Sequence, residues 1–376
     1  MKRVLAALFV LAATWTPAAA HAVTLKLVKQ LDMAALNAGQ PGSVAAYGNE
    51  LYVGSLFGGA KLYRISNPLG AATLANVFGG VNDPATNGGI GPHSGNGYVS
   101  LYTDGRTLVA ATDQGSPDVV QAFAFGSDAF TWGNHAAALP MRSGGAIDGA
   151  AIDPTTGHVM LTCFGCDDQN FRNVATGTAE TVAGENILFY PGVGTGWKDI
   201  DYDKATGDIY LRAWGGVARG KKVAPGQFQT LEGDPGVQTI VDGLNNNFRS
   251  AINVAFLPAD FAGQPLVILN DRDATAAVFD ARVKLYAATP PSSAGTATDV
   301  PVAVNFVLGD GVTPFVTASA GSGIYDFSYD PVFKKLYISD FSTSQVHVFG
   351  AVPEPHAGLL AAAMAAAGAA RRRRGC

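Results

Sequence analysis

The sequence predicts an all-β protein, and three observations support this prediction. The 376-residue chain contains 46 glycines and 20 prolines, which are frequent in turns and rare inside helices. Stretches with helical periodicity are scarce, whereas short runs rich in Val, Tyr, Phe and Thr recur along the chain. These runs come in pairs separated by turn-forming residues, which indicates many antiparallel strands.

One strand–turn–strand unit recurs between the two ends of the chain. It appears at 43–55, 98–112, 149–163, 198–213, 252–270 and 325–340. Each unit contains an aromatic or aliphatic residue at a corresponding position, which marks the repeat: Tyr47, Tyr102, Ile152, Tyr202, Phe256 and Tyr329. The markers are 50 to 55 residues apart, except for a last interval of 73. A period near 50 residues with paired strands is typical of repeated antiparallel blades.

A third strand-like segment follows several of the units, at 60–66, 118–126, 185–192, 276–281 and 344–350. With three or four strands in each of six units, residues 25–350 resemble a β-propeller. A seventh blade is also open, because 283–289 and 302–309 have strand-like sequences. Residues 24–30 can supply the outer strand of the last blade, which would close the ring and remove two exposed edges. A two-sheet sandwich and a β-helix are the alternatives.

Two of the predicted hairpins carry Asp-rich turns, at 153–157 and 203–207. An Asp at the first position can accept hydrogen bonds from the following backbone, and the final Gly permits a positive φ. Asp201, Asp203 and Asp208 imitate part of a calcium loop, but the glycine and glutamate positions of an EF-hand do not match. These residues are therefore expected to form turns.

The N-terminus has the layout of a secretory signal peptide. Lys2 and Arg3 precede an apolar stretch from Val4 to Ala13, and small residues lead to Ala22. This order predicts export with cleavage after Ala22. The apolar run is short for a membrane anchor, which is the alternative interpretation.

The C-terminus has an apolar run followed by positive charge. Residues 357–370 contain only Ala, Gly, Leu and Met, and as a helix they would be about 21 Å long. That length only marginally spans a hydrocarbon core of roughly 30 Å. The residues that follow the run, Arg371, Arg372, Arg373 and Arg374, are expected to stay in the cytoplasm by the positive-inside bias.

The sequence from Val352 to the end resembles the PEP-CTERM sorting signal of Gram-negative bacteria that make extracellular polysaccharide. The resemblance consists of Pro353, Glu354 and Pro355, then the apolar run, then the arginine cluster. It implies an inner-membrane intermediate, processing near the Pro-Glu-Pro by an exosortase-type membrane protease, and delivery to the cell surface or extracellular matrix. The prolines also favour an extended chain of the kind a protease binds. An ordinary linker before a tail anchor is the alternative.

Three segments are therefore predicted: a signal peptide at 1–22, an extracellular propeller-like domain at 23–351 and a sorting tail at 352–376. The two ends contain six of the 25 basic residues and one of the 30 acidic residues, so the body has a net charge of −10. An acidic, sparsely charged body argues against nucleic acid as a partner.

Once the tail is removed, the body contains only Cys163 and Cys166. In an oxidising compartment, two cysteines at this spacing are candidates for a local disulfide. A redox-active pair would be expected within a βαβ pattern, and none surrounds these residues. A zinc site lacks a second pair of ligands at suitable spacing.

The sequence contains no recognisable catalytic motif. A nucleophile elbow, a zinc-protease motif, a Walker loop and a Rossmann fingerprint are all absent. His93 and Ser94 are adjacent in a glycine-rich loop, and adjacent side chains on an extended chain point in opposite directions. Weak candidates for a channel ion such as calcium follow the second strand of several units: Asp113, Asn270, Asp271 and Asp340.

These features predict a non-enzymatic, surface-sorted propeller that is a binding or structural component of the extracellular polysaccharide layer, as in a biofilm. One alternative is a secreted propeller enzyme, either a metal-dependent lactonase-like hydrolase or a polysaccharide-cleaving enzyme, that uses the channel carboxylates. Another is a single-pass membrane protein that keeps its tail. Fold alone does not choose among these functions.

Overall fold

The computed structural model describes residues 22–56, 61–79, 97–112, 119–135, 147–163, 170–178, 197–213, 216–228, 237–241, 253–270, 283–288, 301–317 and 323–352. These ranges form an all-β, propeller-like fold of 25 strands and one short helix. No helix within them is long and apolar enough to cross a membrane. The apolar run 357–370 lies outside the described residues, as does the predicted signal peptide up to residue 21.

The N-terminal strand, β1 (Val23–Asp32), belongs to the last sheet of the chain. The next sheet contains β2 (Pro41–Tyr47), β3 (Glu50–Ser55), β4 (Leu62–Ser66) and β5 (Thr73–Phe78). A second four-stranded sheet contains β6 (Tyr98–Thr103), β7 (Thr107–Thr112), β8 (Val119–Ala124) and β9 (Phe130–His135). In both sheets the strands are antiparallel and follow one another in chain order.

The middle of the chain forms less uniform sheets. One contains β10 (Ile147–Ile152), β11 (His158–Cys163) and β12 (Asn170–Asn173). The next contains β13 (Trp197–Tyr202), β14 (Ile209–Ala213), β15 (Val217–Gly220) and β18 (Val237–Val241), with a hairpin of β16 (Lys222–Ala224) and β17 (Gln227–Phe228) inserted. The third contains β19 (Val254–Leu257), β20 (Leu266–Asn270) and β21 (Val283–Ala287), and α1 (Ala259–Ala262) connects its first two strands.

The final sheet, called the closing sheet below, combines both ends of the described chain. It contains β22 (Val304–Val307), β23 (Ile324–Asp330), β24 (Lys335–Asp340), β25 (Gln345–Ala351) and β1, in the order β22-β1-β25-β24-β23. β1 is antiparallel to β25 and parallel to β22. The prediction that residues 24–30 pair with the last unit is therefore confirmed, although the outermost strand of this sheet is β22 and not β1.

The first strand of each sheet lies at the centre of the molecule. The strands β2, β6, β10, β13, β19 and β23 contact one another in that order, and β23 contacts β2, so these inner strands form a closed ring. Each of the six sequence markers lies in one of these inner strands. The repeat in the sequence thus corresponds to the repeated inner strand of the fold.

The apolar strand sequences are explained by burial on both faces of each sheet. All six residues of β10 are buried, and so are six of the seven residues of β2. Apolar layers fill the spaces between neighbouring sheets. One layer joins the closing sheet to β19–β21 through residues such as Leu25, Phe306 and Leu285, and another joins it to the sheet of β2–β5. A strand buried on both faces has a continuous apolar sequence rather than an alternating one.

The Asp-rich turns have the predicted structure. Asp153 accepts hydrogen bonds from the backbone N–H and hydroxyl of Thr155, both at 2.7 Å. Asp203 accepts from the backbone N–H of Ala205 at 2.9 Å. Gly157 and Gly207 have φ values of 72° and 79°, a region that favours glycine. The predicted turn role is confirmed for Asp153 and Asp203, whereas Asp201 lies within β13 and Asp208 forms an ion pair with Arg219.

The propeller-like fold is as predicted, but the predicted number of six, possibly seven, antiparallel blades is not confirmed. The described sheets have three, four or five strands, apart from the two-stranded hairpin of β16 and β17. The segments proposed for a seventh blade belong elsewhere: Val283–Ala287 is the third strand beside β20, and Val304–Val307 pairs with β1. Three of the predicted third strands are found, as β4, β8 and β25. The segments 185–192 and 276–281 lie outside the described residues.

Candidate functional site

The inner strands enclose a cavity of about 190 Å³ at the centre of the ring. It lies toward the end of the ring at which the inner strands finish and turn into the second strands. Its walls include the aromatic residues Tyr102, Tyr202, Phe256 and Tyr329. The carboxyl groups of Asp199, Asp201 and Asp326 also line it. A concave, mostly apolar space with a few convergent polar groups is the usual setting of a ligand or catalytic site.

Two of these carboxyl groups come from β13. Alternate residues of a strand point to the same side, so Asp199 and Asp201 both face the neighbouring inner strand, β19. Asp199 accepts a hydrogen bond of 2.8 Å from the backbone N–H of Val254. Asp201 accepts one of 2.7 Å from the backbone N–H of Phe256. Both carboxyl groups therefore connect β13 to β19.

A matching row of side chains connects β23 to β2. Asp326, Ser328 and Asp330 are spaced by two residues, and their side-chain oxygens accept hydrogen bonds of 2.8, 3.0 and 3.0 Å. The donors are, in the same order, the backbone N–H groups of Val44, Ala46 and Gly48. Asp326 also accepts a hydrogen bond of 3.1 Å from the side-chain amide of Asn253, next to β19.

Polar side chains also connect the remaining pairs of inner strands. The hydroxyl of Ser43 donates to the carbonyl of Tyr98 between β2 and β6. The hydroxyl of Ser100 accepts from the backbone N–H of Ala150 between β6 and β10. The ammonium group of Lys198 lies 2.8 Å from Asp148 between β13 and β10. Every junction in the ring therefore contains at least one side-chain hydrogen bond.

Burial in this cavity disfavours the charged form of the carboxyl groups. Burial raises the pKa of Asp326 to about 8 and that of Asp201 to about 6. The pKa of Asp199 is raised well above its usual value, first by burial and then by the nearby charge of Asp326. Backbone hydrogen bonds oppose these shifts at all three groups. The cavity therefore favours the protonated form of Asp326 at neutral pH.

Lys204 crosses one end of the cavity. It lies in the turn after β13, and its ammonium group donates a hydrogen bond of 3.3 Å to the carbonyl of Thr103 at the end of β6. The same group is 5.2 Å from the centre of the Tyr102 ring, within the range of a cation–π contact. Burial lowers its pKa, while the charges of Asp201, Asp104 and Asp330 act in the opposite direction. The side chain joins two sheets that are not neighbours in the ring.

This arrangement holds the ring together. The carboxyl groups accept hydrogen bonds from backbone N–H groups of the next strand and so connect neighbouring inner strands. In the described part of the chain, no group of three His, Cys, Asp or Glu side chains is arranged to hold a metal ion. Among the described residues that line the cavity, Asp326 has a pKa that allows it to donate a proton at neutral pH.

The sequence-predicted ion candidates lie elsewhere. Asn270 ends β20, is fully buried and donates a hydrogen bond of 2.9 Å to the carbonyl of Ile324. Asp340 ends β24, opposite Ile324 in the ladder, and lies 3.3 Å from the Nε2 atom of His347. The structure thus brings Asn270 and Asp340 to the same end of β23, near the start of that strand. Asp113 and Asp271 lie outside the described residues.

The other predicted functional residues are at or beyond the limits of the described ranges. Ala22 immediately precedes β1. Cys163 ends β11, and Cys166 lies outside the described residues, so the predicted disulfide stays a prediction. The residues predicted for processing and topology also lie outside, namely Pro353, Glu354, Pro355 and the arginines Arg371, Arg372, Arg373 and Arg374. His93 and Ser94 are likewise outside.

The carboxyl groups of the cavity were not among the sequence-predicted site residues, although the sequence contains a signal for them. The segments Lys198–Asp203 and Tyr325–Asp330 read KDIDYD and YDFSYD. Both place an Asp at the same distance before the marker Tyr and another directly after it. An acidic residue repeated inside an otherwise apolar inner strand requires a partner, because an unpaired buried charge is costly.

Comparison with known proteins gives structural likenesses only. No family model and no curated sequence matches the chain. An auxiliary nutrient binding protein from Bacteroides thetaiotaomicron is 12% identical, with a TM-score of 0.49, and the match covers 83% of this chain and 69% of that one. A protein of unknown function from the same species is 14% identical, with a TM-score of 0.47 and coverages of 87% and 73%. A proposed 6-phosphogluconolactonase from Bacteroides uniformis is 14% identical, with a TM-score of 0.48 and coverages of 82% and 80%. Likenesses this distant do not indicate what this chain binds or does.

Proposed function

We propose that this chain is an exported protein that its C-terminal tail sorts to the cell surface, where it is a non-catalytic binding or structural component of the extracellular polysaccharide layer. The non-catalytic role is supported by the hydrogen bonds that the polar groups of the central cavity form within the fold. Asp199, Asp201 and Asp326 accept hydrogen bonds from the next inner strand, so these groups stabilise the ring. The proposal for sorting rests on the order of residues at the two ends of the sequence.

The proposed mature body is bounded by the two processing sites. Cleavage after Ala22 would leave Val23, the first residue of β1, at the N-terminus. The last strand, β25, ends at Ala351, two residues before Pro353. An exosortase-type protease would act at or near Pro353, Glu354 and Pro355, while the arginines at 371–374 hold the C-terminus in the cytoplasm. The body would then lie outside the inner membrane of a Gram-negative bacterium.

Deletion of residues 353–376 tests this proposal in the producing organism. The full chain is expected in the surface or matrix fraction, and the deleted chain in the periplasm or the medium. Substitution of both tail prolines, P353A with P355A, is expected to leave the apolar run in place but to block processing. The matched control is P331A, which changes a proline in the turn after β23. Unchanged surface retention of the deleted chain would contradict the sorting role.

An enzymatic function is the second candidate, and one observation favours it. A carboxyl group with a pKa of about 8, such as Asp326, can donate a proton at neutral pH, as general acids do. The test is hydrolysis of lactones and polysaccharides by the purified chain and by D326N, N270A, D271A and D340A. Turnover that is lost in a variant with an unchanged melting temperature would favour the enzyme. The third candidate is a single-pass membrane protein that is never processed. It differs from the first candidate only in keeping its tail.

A disulfide and a bound ion are tested separately from the sorting role. Cys163 and Cys166 are proposed to pair after export, so alkylation before and after reduction should differ in mass by two added groups. No cofactor is proposed for the chain, and calcium near Asn270 and Asp340 is the alternative. A calcium-dependent melting shift would establish binding but not catalysis, because structural ions also stabilise folded proteins.

A further inference from the structure

Exposed apolar side chains are concentrated on one part of the molecule. Ten large apolar residues are exposed in the described ranges. Seven of them belong to the closing sheet or to the segments joined to its strands: Val28, Leu308, Val312, Val316, Val332, Phe333 and Val352. The other three are spread over three different sheets or hairpins. The closing sheet is also the sheet from which the C-terminal tail leaves the body.

Several of these residues lie next to one another and beside lysines. Val28 and Lys335 both lie next to Gly350. A Cβ atom placed on Gly350 would be 3.5 Å from the side chain of Val28 and 3.3 Å from the ammonium group of Lys335. Lys26 is paired with Gly350 on the other strand. The turn that carries Val332 and Phe333 directly precedes Lys335. We define the tail-exit surface as Val28, Val332, Phe333 and Val352 with Lys26, Lys334 and Lys335.

The charge of this surface differs from that of the whole body. The tail-exit surface contains three lysines and has two acidic neighbours, Asp260 beside Lys334 and Asp310, which interacts electrostatically with Lys26, whereas the body has a net charge of −10. Lys334 forms an ion pair of 2.8 Å with Asp260, in which both side chains are more than half exposed, and such pairs are weak. Exposed Phe and Val side chains beside lysines are typical of surfaces that contact anionic lipid headgroups.

The distance to the membrane is limited by the chain itself. Val352 is fixed to the body, because its backbone N–H donates a hydrogen bond of 2.9 Å to the carbonyl of Thr24. Only residues 353–356 separate it from the apolar run that begins at Ala357. The five Cα–Cα steps from Val352 to Ala357 span at most about 18 Å. The part of the body around Val352 is therefore the part held nearest to the lipid when the run is inserted.

We propose that the tail-exit surface rests on the anionic lipid surface of the membrane while the tail is still inserted, and that processing releases it. This inference rests on the proposed function, since it requires the tail-bearing intermediate. The apolar side chains would enter the headgroup layer and the lysines would lie against anionic headgroups. Contact with the membrane would also hold the Pro-Glu-Pro segment at the bilayer surface, where a membrane protease acts.

The test is photolabelling of the tail-bearing chain in lipid vesicles. The chain, purified with residues 353–376 intact, is reconstituted into vesicles with and without phosphatidylglycerol that contain a lipid with a photoactivatable headgroup. Labelled peptides are then mapped by mass spectrometry. Label is expected in the tail and in the peptides that contain Val28 and Phe333, and more strongly when phosphatidylglycerol is present. The variant F333D with K335Q is expected to lose the body label and keep the tail label.

A matched control variant is V77D, because Val77 and Phe333 are both 40% exposed and Val77 lies on β5, in a different sheet. It is expected to keep the full labelling pattern, and melting curves of both variants establish that they are folded. Label in the tail with none in the body would overturn the lipid contact and leave the anchored intermediate intact. No label in either part would mean that the tail does not insert, and both proposals would be wrong. Label in unrelated parts of the body would indicate non-specific adsorption and would also overturn the contact.

Discussion

At the junction between β23 and β2 and at the junction between β6 and β10, side chains accept hydrogen bonds from backbone N–H groups of the next inner strand, but the side chains differ. At the first, Asp326, Ser328 and Asp330 each accept a hydrogen bond from a backbone N–H of the next inner strand. At the second, Ser100 accepts one such bond from Ala150. The first junction lies between the last unit and the first unit of the chain, which are not joined by a short loop. Side-chain hydrogen bonds are therefore most important for holding this junction together.

The difference also has an electrostatic consequence. A serine hydroxyl carries no charge, whereas a buried carboxylate is costly unless it is neutralised or well hydrogen-bonded. The Asp-containing junctions therefore have raised pKa values at Asp199, Asp201 and Asp326, which makes the ring sensitive to pH. Five predictions test this comparison, in order of decreasing effect.

Deletion of β1 is expected to have the largest effect. Removing residues 23–32 takes Leu25 out of the apolar layer and exposes the edges of β25 and β22. The loss should be comparable to the whole stability of a domain, on the order of 5–15 kcal/mol. The expected result is a chain without a cooperative thermal transition in near-UV circular dichroism. A deleted chain that still melts cooperatively would show that the ring does not depend on this strand.

The variant D326A is expected to destabilise the protein by about 3 kcal/mol, because it leaves the buried backbone N–H of Val44 and the amide of Asn253 without their acceptor. The measurement is urea unfolding at a pH near 6. The control is D260A, which removes an exposed ion pair and should cost well under about 1 kcal/mol. Equal effects of the two variants would contradict the structural role of Asp326.

The stability of the protein is expected to fall as the pH rises from about 5 to about 8. In the folded protein the pKa of Asp326 is raised to about 8, whereas an unfolded Asp releases its proton near pH 4. The folded state therefore binds one more proton in this range, and the free energy of unfolding decreases by about 1.4 kcal/mol per pH unit. In the variant D326N, the decrease in the free energy of unfolding should be smaller by about 1.4 kcal/mol per pH unit. An unchanged slope would contradict the raised pKa.

The variant S100A tests the other side of the comparison. It removes the hydroxyl that accepts a hydrogen bond from the backbone N–H of Ala150, which should cost about 1 kcal/mol, with no change in the pH dependence. The control is S127A, since the Ser127 hydroxyl is exposed and its hydrogen bond is long, at 3.5 Å. A loss as large as that of D326A would mean that the two kinds of junction contribute equally.

Chelation is expected to have the smallest effect. The described residues contain no cluster of three potential metal ligands, and the carboxyl groups of the cavity accept backbone hydrogen bonds. The melting temperature should therefore be the same in EDTA and in added calcium. A lower melting temperature in EDTA, restored by calcium and abolished in D340A, would instead assign an ion to the neighbourhood of Asn270 and Asp340.

Much of the architecture could be predicted from the sequence, because its signals are local. The paired strands, the Asp turns with Gly157 and Gly207, and the pairing of residues 24–30 with the last unit all follow from short segments. The number of strands in each sheet could not be predicted in the same way. Segments such as Val283–Ala287 are apolar enough to form a strand anywhere, and their place depends on which edge is available.

The candidate site was harder to predict than the fold, for a related reason. The ion candidates Asn270 and Asp340 were predicted from their position at the end of a strand. That position does not indicate which side chains surround them in the folded protein. The cavity carboxyl groups Asp199 and Asp326 come from inner strands 127 positions apart, and only the closure of the ring places them in one cavity. The repeated KDIDYD and YDFSYD segments carried the relevant information.

The intact mass of the native protein in the surface or medium fraction of the producing organism, with mapping of its C-terminal peptide, would identify both predicted cleavage sites. We expect an N-terminus at Val23 and a C-terminus between Val352 and Pro355, without the arginines at 371–374. A mass that still includes Arg371 to Cys376 would establish a permanent anchor and contradict sorting by processing of the tail.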